Sequence, residues 1–422
     1  MPAAERKGDP RDLYRAAGVM PATDVERNAK YNQIQKAMVR PDFDVIVAGA
    51  GAGGATAAYF LAQEGLTVLV VEKQDLPRYK ACGGAIPRQA LEQFPFDFNN
   101  VVQATPSSVR LTFPGQPPVS LALPQCPIVM VMRDQFDALL LAQSRAELLP
   151  ATAVTKVTDR DDHVRVEAGG RLLTARYLVG ADGATSAIAR CLGLRRDRTP
   201  GGALEAEVPL AGNPALYQEY ASQAVFAMGV VPWGYAWVFP KREHLSVGIL
   251  HSRQGRIDLR AALWQVMEAL GISLEGVKLH GHPLPVYRAP PWPFWGGQPQ
   301  ETLSTRRCLL VGDAAGLVDP LLGEGIRYAI TSGRLAARAI ARDDLSGYED
   351  AIWREIGHDL ATAGLAAGTY YRIPRLSYRL GLRNPATVQR MLGVLSGQVG
   401  YGGIGRRILA TTLLWLLGIQ GR

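Results

Sequence analysis

The run Asp44-Val45-Ile46-Val47-Ala48 passes directly into Gly49-Ala50-Gly51-Ala52-Gly53-Gly54. An alanine-rich helical pattern follows, then Thr67-Val68-Leu69-Val70-Val71, ending at Glu72. Strand, glycine turn, helix, strand and acid make a G-x-G-x-x-G unit in full context, and few folds accept that order. Gly49 makes the tight turn. Gly51 leaves room for a pyrophosphate, Gly53 lies at the helix start and Gly54 lets helix and strand approach closely. The helix N-terminus offers free N–H groups to phosphate, and Glu72 is placed to accept from ribose hydroxyls. A bound dinucleotide is predicted; an unliganded glycine-rich turn is the bland alternative.

The turn alone does not separate NAD from FAD. A second segment does: Arg307-Cys308-Leu309-Leu310-Val311-Gly312-Asp313-Ala314-Ala315-Gly316, with Pro320, Gly323, Gly325 and Ile326 behind it and then a helix. A buried strand ending in Gly-Asp carries a carboxylate to the carboxyl edge of the sheet, where α/β proteins bind ligands. Asp313 could hold a ribityl or ribose hydroxyl, and the N–H groups of Gly325 and Ile326 could face a flavin ring. A third strand, Leu178-Val179-Gly180, ends in Ala181-Asp182-Gly183, which by itself reads as an ordinary turn.

In this order the motifs resemble the FAD-dependent oxidoreductases of the para-hydroxybenzoate hydroxylase fold. Pro77-Arg78-Tyr79-Lys80-Ala81-Cys82-Gly83-Gly84 is similar to the Cys-Gly-Gly segment of the geranylgeranyl reductase family, and Tyr235-Ala236-Trp237-Val238-Phe239-Pro240 to its Y-x-W-x-F-P signature. The likeness spans about residues 42 to 345 and sits in five motif segments. One departure stands out: where the family often has Gly-x-Gly after Y-x-W-x-F-P, this chain reads Val247-Gly248-Ile249-Leu250. The resemblance implies a mixed α/β (α+β) fold: a Rossmann-type FAD-binding domain, an inserted antiparallel-sheet substrate domain and a C-terminal helical region. It implies FAD at Gly49, Gly51, Gly53, Gly54, Glu72, Cys82, Gly83, Arg133, Asp313, Gly325 and Ile326. Cys82 is also the candidate catalytic residue, with a packing residue beside the ring as the alternative.

Boundaries follow. Residues 1–41 form an N-terminal extension, with a short helix expected over 24–37. Residues 42–84, 128–200 and 300–345 build the FAD domain; 85–127 and 201–299 build the substrate domain; 346–422 are helical, broken at Pro374 and Pro385. Ser108–Phe113 and Val119–Leu123 alternate around a Pro-Gly turn, as a hairpin does, and one helix is expected around 257–270. The composition is that of a globular protein, 47% hydrophobic and 20% charged. Cys82, Cys126, Cys191 and Cys308 are scattered, and the six histidines show no metal-ligand spacing, so neither a disulfide framework nor a metal site is expected. No targeting segment is apparent, and a cytoplasmic protein is the reading.

A strand places Tyr235, Trp237 and Phe239 on one face. Aromatics so arranged are commonly core; the family likeness makes them the wall of a substrate cavity suited to a hydrophobic polyprenyl chain, with Trp233, Trp292 and Trp295 as extensions. Lys80 and Arg78 are the cations expected near the Cys82 thiol. Without a second glycine fingerprint, the reductant, NADPH or a ferredoxin-type carrier, must dock transiently. A flavin monooxygenase or halogenase, and a non-catalytic flavoprotein relaying electrons, are the competing readings. The net charge of +8 and the apolar run Ile408–Ile419, flanked by Arg406, Arg407 and Arg422, fit either a core helix on a basic protein or peripheral attachment to the inner face of a membrane. Nothing in the pattern points to nucleic acid.

Overall fold

Short runs rich in valine, isoleucine and leucine give five strands that pair in parallel: Glu147–Leu149, Val68–Val71, Phe43–Ala48, Arg171–Gly180 and Cys308–Leu310, in that spatial order. The computed structural model describes residues 41–125, 127–195, 201–253, 255–288, 302–382 and 385–403. Contacts divide the chain into Met1–Asp42 and Phe43–Arg422, and all the helices and strands named below lie in the second. The helix expected at 24–37, the apolar run 408–419, Cys126, Trp292 and Trp295 fall outside the described residues.

Register decides where the ligand edge lies. Ala48 pairs with Val71 and Gly180, and Gly180 with Leu310. The glycine turn, Glu72, Ala181 and Gly312-Asp313 therefore emerge side by side at one carboxyl edge. The hairpin Val154–Asp159 and Val164–Ala168 extends the amino half of the long strand, so the sheet is mixed rather than purely parallel. The helix Ala52–Gln63 packs against this sheet and against the helix Ile326–Ala341. Small residues make that possible: a Cβ on Gly333 would lie 2.4 Å from the Gly53 carbonyl oxygen.

The second sheet has seven strands, in the order Leu279–Leu284, Gly201–Pro209, His244–His251, Gly234–Pro240, Gln223–Met228, Ser108–Phe113 and Gln116–Ala122. The hairpin at its edge forms, closing at Phe113 and Gln116. The sheet departs from the antiparallel expectation once, where Gln223–Met228 runs parallel to Ser108–Phe113. These two strands come from distant parts of the chain, so no tight turn dictates their direction. Period-2 alternation splits the sheet's faces. Ala236, Val238, Val247 and Ile249 pack with Leu263 and Met267 of the helix Leu259–Ala269. Phe226, Tyr235, Trp237, Phe239 and Leu250 form the opposite cluster. Each fully buried large side chain contributes roughly 1.5–3 kcal/mol, so neither face can flip without losing many kcal/mol. A second helix, Pro214–Tyr220, also covers the outer face, one more than expected there.

Residues 85–104 leave the grouping expected for them. Ala85–Pro87 and Val102–Ala104 pair with Ile128–Val131 in a separate three-stranded sheet. Ile86, Leu91, Phe94 and Phe98 sink into the core around the first sheet, which explains the placement. Beyond Gly347 the described chain is helical, and both prolines act as breaks: the helix His358–Arg372 ends before Pro374, and Pro385 opens the helix Pro385–Leu395.

Candidate functional site

One cavity joins the two sheets. It holds about 1430 Å³ of space, part of it open to solvent, and is lined from Gly51, Gly53 and Gly54 at one end to Phe226, Tyr235, Trp237, Phe239 and Leu250 at the other. Cys82, Gly83, Arg133, Asp313, Gly325 and Ile326 lie along it. Gly49 and Glu72 do not.

The glycines divide the work. Gly49 sits at φ +107, and a Cβ there would lie 2.3 Å from the Ala181 carbonyl oxygen; one on Gly54 would lie 1.9 Å from that of Gly49. Those two are demanded by the fold. Gly51 is different: the nearest atoms to its added Cβ are Nη2 of Arg78 at 3.5 Å and Nη2 of Arg133 at 3.8 Å. Open space flanked by two guanidinium groups at a helix N-terminus is what a pyrophosphate requires. Glu72 is turned inward, 3% exposed, accepting from the Ala50 N–H at 2.8 Å and the Gln74 N–H at 3.2 Å. Its carboxylate braces the glycine turn.

Arg133 is buried, not a surface residue. Its Nε and Nη2 donate to the two oxygens of Asp137, each at 2.9 Å, and Arg78 adds a bond to the same carboxylate at 3.2 Å. Arg78 also stands 3.7 Å from Glu72. Asp137 raises the affinity of Arg133 for its proton despite burial, so the charge is permanent. Asp313 emerges after its strand and accepts from Lys80 Nζ at 3.1 Å, with His282 Nε2 at 3.7 Å. The Lys80 ammonium, with the His282 ring beside it, holds its carboxyl well below the usual range although burial opposes that. Asp313 Oδ1 would lie 3.5 Å from a Cβ on Gly325, which caps the helix Ile326–Ala341. A carboxylate and free backbone donors thus meet where a flavin's polyhydroxyl chain and ring could sit. Asp182, by contrast, is a cap: Oδ2 accepts from the Ala187 and Ile188 N–H groups.

The cations expected beside Cys82 are committed elsewhere, Lys80 to Asp313 and Arg78 to Asp137. The amine that secures this loop is Lys241, just after the Y-x-W-x-F-P segment, donating to the carbonyls of Gly83 at 2.7 Å and Val131 at 2.8 Å. Burial pushes Lys241 down to about 8, against the pull of Cys82 and Glu205. Below the loop lies Glu205, which no motif announces. Its Oε2 accepts from the Cys82 N–H and the Tyr79 hydroxyl, and its Oε1 from Ser246 Oγ. Two carboxylates two residues apart, Glu205 and Glu207, in a strand otherwise without polar side chains are the available signal.

Tyr235, Trp237 and Phe239 all line the cavity. Phe226 packs 5.4 Å from Tyr235 and 5.2 Å from Phe239, ring to ring. Gly83 lies against this wall: its added Cβ would be 2.9 Å from Phe239 and 3.2 Å from Trp237 Nε1. Gly248 is required opposite, because a Cβ there would lie 2.2 Å from the Trp237 ring. Leu250 stands cross-strand from Tyr235 and narrows the cavity near Gly323. Trp233 does not extend the wall. Its φ of +55 breaks the strand alternation and turns the ring to Tyr371 and the Arg253 guanidinium. Behind the loop, Glu324 pairs with Arg327 at 3.1 Å; burial pushes its carboxyl up to about 7, with Asp319 and Asp359 adding to the rise and Arg327 opposing it. Among the described residues no group of three or more His, Cys, Asp or Glu converges as metal ligands would, and no helix is long and apolar enough to cross a membrane.

Known proteins resemble this chain in sequence and in fold. The model of the FAD binding domain family matches residues 42–343. The chloroplastic geranylgeranyl diphosphate reductase of Oryza sativa subsp. japonica is 30% identical over 336 residues, covering 72% of this chain and 67% of the relative. The digeranylgeranylglycerophospholipid reductase of Methanosarcina acetivorans is 29% identical over 350 residues, covering 75% and 82%. In fold, the chain is similar to the crystal structure of a geranylgeranyl bacteriochlorophyll reductase-like protein from Thermoplasma acidophilum, with a TM-score of 0.67, 21% identity and coverage of 88% and 96%.

Proposed function

Because the chain belongs to the geranylgeranyl reductase family of FAD-binding oxidoreductases, we propose that it saturates carbon–carbon double bonds in a polyprenyl group carried by a lipid or pigment. The observation that carries this reading is the continuity of the cavity: a polar phosphate end at Gly51 and Arg133 runs without a partition into an aromatic end at Tyr235, Trp237 and Phe239. FAD, when bound, supplies hydride transfer. The chain's own residues do the rest. Arg78, Arg133 and the helix N-terminus bind the pyrophosphate, and Asp313 takes a hydroxyl. Gly325 and Ile326 present N–H groups to the ring. The aromatic wall excludes water and holds an apolar chain, which matters because an unactivated alkene reacts only when tightly positioned. Cys82 lies at the junction and contacts the reacting region. The electron donor, NADPH or a ferredoxin-type carrier, docks transiently, and the basic chain attaches to anionic membrane surface where its substrate resides.

The test is single turnover of flavin-loaded, pre-reduced protein without dioxygen, with geranylgeranyl diphosphate and a digeranylgeranyl phospholipid as substrates and product mass recorded. A gain of two hydrogens per saturated bond supports the proposal. A gain of one oxygen, formed only in air, replaces it with the monooxygenase reading.

A further inference from the structure

Glu205 is a carboxyl 4% exposed on the cavity wall, outside the residues assigned above to the cofactor. Its hydrogen-bond partners are neutral donors: the Cys82 N–H, Tyr79 hydroxyl at 3.3 Å and Ser246 hydroxyl at 2.7 Å. Ser246 in turn accepts from the Trp237 indole N–H at 3.3 Å. Tyr79 is 40% exposed, its ring tilted against His280 at 4.5 Å. A chain of exchangeable protons therefore runs from solvent at Tyr79, through Glu205, to the aromatic wall beside Cys82 and Gly83.

We propose that Glu205 delivers the proton that completes reduction of the double bond, replenished from solvent through Tyr79. This rests on the reductive reading above. Hydride from reduced FAD forms a C–H bond at one alkene carbon. The π electron pair forms the second C–H bond, with the proton carried on Oε2 of Glu205. The O–H bond breaks and leaves its electron pair on the carboxylate, and Oε2 then takes a proton by way of the Tyr79 hydroxyl. Ser246 donates to Oε1, so the transferable proton sits on Oε2, between the Cys82 loop and the Tyr79 hydroxyl.

Burial holds the Glu205 carboxyl above its ordinary range, although hydrogen bonds from Ser246, Cys82 and Tyr79 and the charge of Lys241 pull it down. The other titratable groups facing it are Glu207 on its own strand and His280 across the sheet. Glu324, the other raised carboxyl on the cavity, is tied to a permanent guanidinium on Arg327. That makes it the poorer proton carrier.

The decisive comparison sets E205Q, Y79F and E324Q beside the wild type, all flavin-loaded. The amide side chain of the E205Q variant still accepts from the Cys82 N–H but carries no acidic proton. Infrared titration of oxidised protein should show a carboxyl C=O band persisting above the usual carboxylate range and missing in E205Q. Flavin content and the alkylation rate of Cys82 should stay near wild type, because the loop remains held. In pre-reduced single turnover, E205Q should slow product formation by about 100-fold and lose its pH dependence, Y79F by about tenfold, and E324Q by less than either. The assignment falls if E205Q lacks no infrared band, if it turns over within about twofold of wild type, or if E324Q carries the loss instead. If wild type reduces no prenyl substrate, the reductive reading falls and the assignment with it.

Discussion

The two ends of the cavity treat charge in opposite ways. At the glycine turn Arg78 and Arg133 share Asp137, and Arg78 also approaches Glu72, so cations and carboxylates are paired and held in place. At the aromatic end burial works against charge: Glu205 is held above its ordinary range and Lys241 is pushed down to about 8. The contrast follows from what each end must hold. A pyrophosphate is always charged and rewards charge that never changes. An apolar chain rewards dryness, and a dry wall tolerates ionisable groups only where they can be neutral or fully hydrogen-bonded.

The sharpest way to break that division is at two glycines of one turn. Gly54→Ala drives a methyl to 1.9 Å from a backbone oxygen, which should cost about 3 kcal/mol or more and yield little folded protein by denaturant titration. Gly51→Val meets only side-chain tips, so it should fold with a near-wild-type melting temperature yet bind FAD at least about 100-fold more weakly by fluorescence titration. Full flavin content in Gly51→Val would remove the pyrophosphate from this end.

Next in size is Arg133→Met. It strips the bidentate partner from an Asp137 that is 1% exposed. Arg78 remains, so the loss of stability should be at most about 3 kcal/mol, together with weaker FAD binding. If stability falls while FAD affinity does not, Arg133 serves the fold alone.

The two ends also differ in how much of each can be read from the sequence. The glycine turn is contiguous, so Gly49, Gly51 and Gly54 announce themselves and place the first sheet's ligand edge. Tyr235, Trp237 and Phe239 of the aromatic wall share one strand and are equally visible. What joins them is not. Cys82 meets Glu205 across 123 residues, Lys241 meets Gly83 across 158, and Lys80 meets Asp313 across 233. No local period encodes such pairs; they follow from how two sheets pack. Trp233 shows the reverse failure, where a strand pattern is extended by one residue past a left-handed turn.

Glu324 tests whether burial works against charge at the cofactor loop as well. Its folded-state carboxyl is raised from 4.5 to about 7. A raised carboxyl favours the folded state while protonated, so its contribution is complete below about pH 4.5 and is lost as pH rises through about 7, a change on the order of 3 kcal/mol. Glu324→Gln should flatten the fall in stability between those values, measured by urea titration across pH. An unchanged slope would mean that Arg327 keeps Glu324 ionised throughout. Smaller still is Cys82→Ala: FAD should remain bound and prenyl reduction should slow by about tenfold, equivalent to roughly 1.4 kcal/mol. Unchanged turnover would reduce Cys82 to packing.

Tyr235→Phe should have the smallest effect on stability and tells most about how the ends communicate. The Tyr235 ring belongs to the aromatic wall, but its hydroxyl donates to the Leu322 carbonyl, next to the Gly323-Glu324-Gly325 loop. Phenylalanine keeps the ring and nearly all its volume, so only that hydrogen bond is lost, about 1 kcal/mol, or roughly 2 °C in melting temperature. If wall and loop are independent, FAD affinity and turnover should both stay near wild type. If the bond sets the loop's position, FAD affinity should fall by more than the stability loss can account for, and the fall should appear with no prenyl substrate present. That second outcome would join the paired, charged end to the dry one through a single hydroxyl, and the contrast between them would become a gradient along one connected wall.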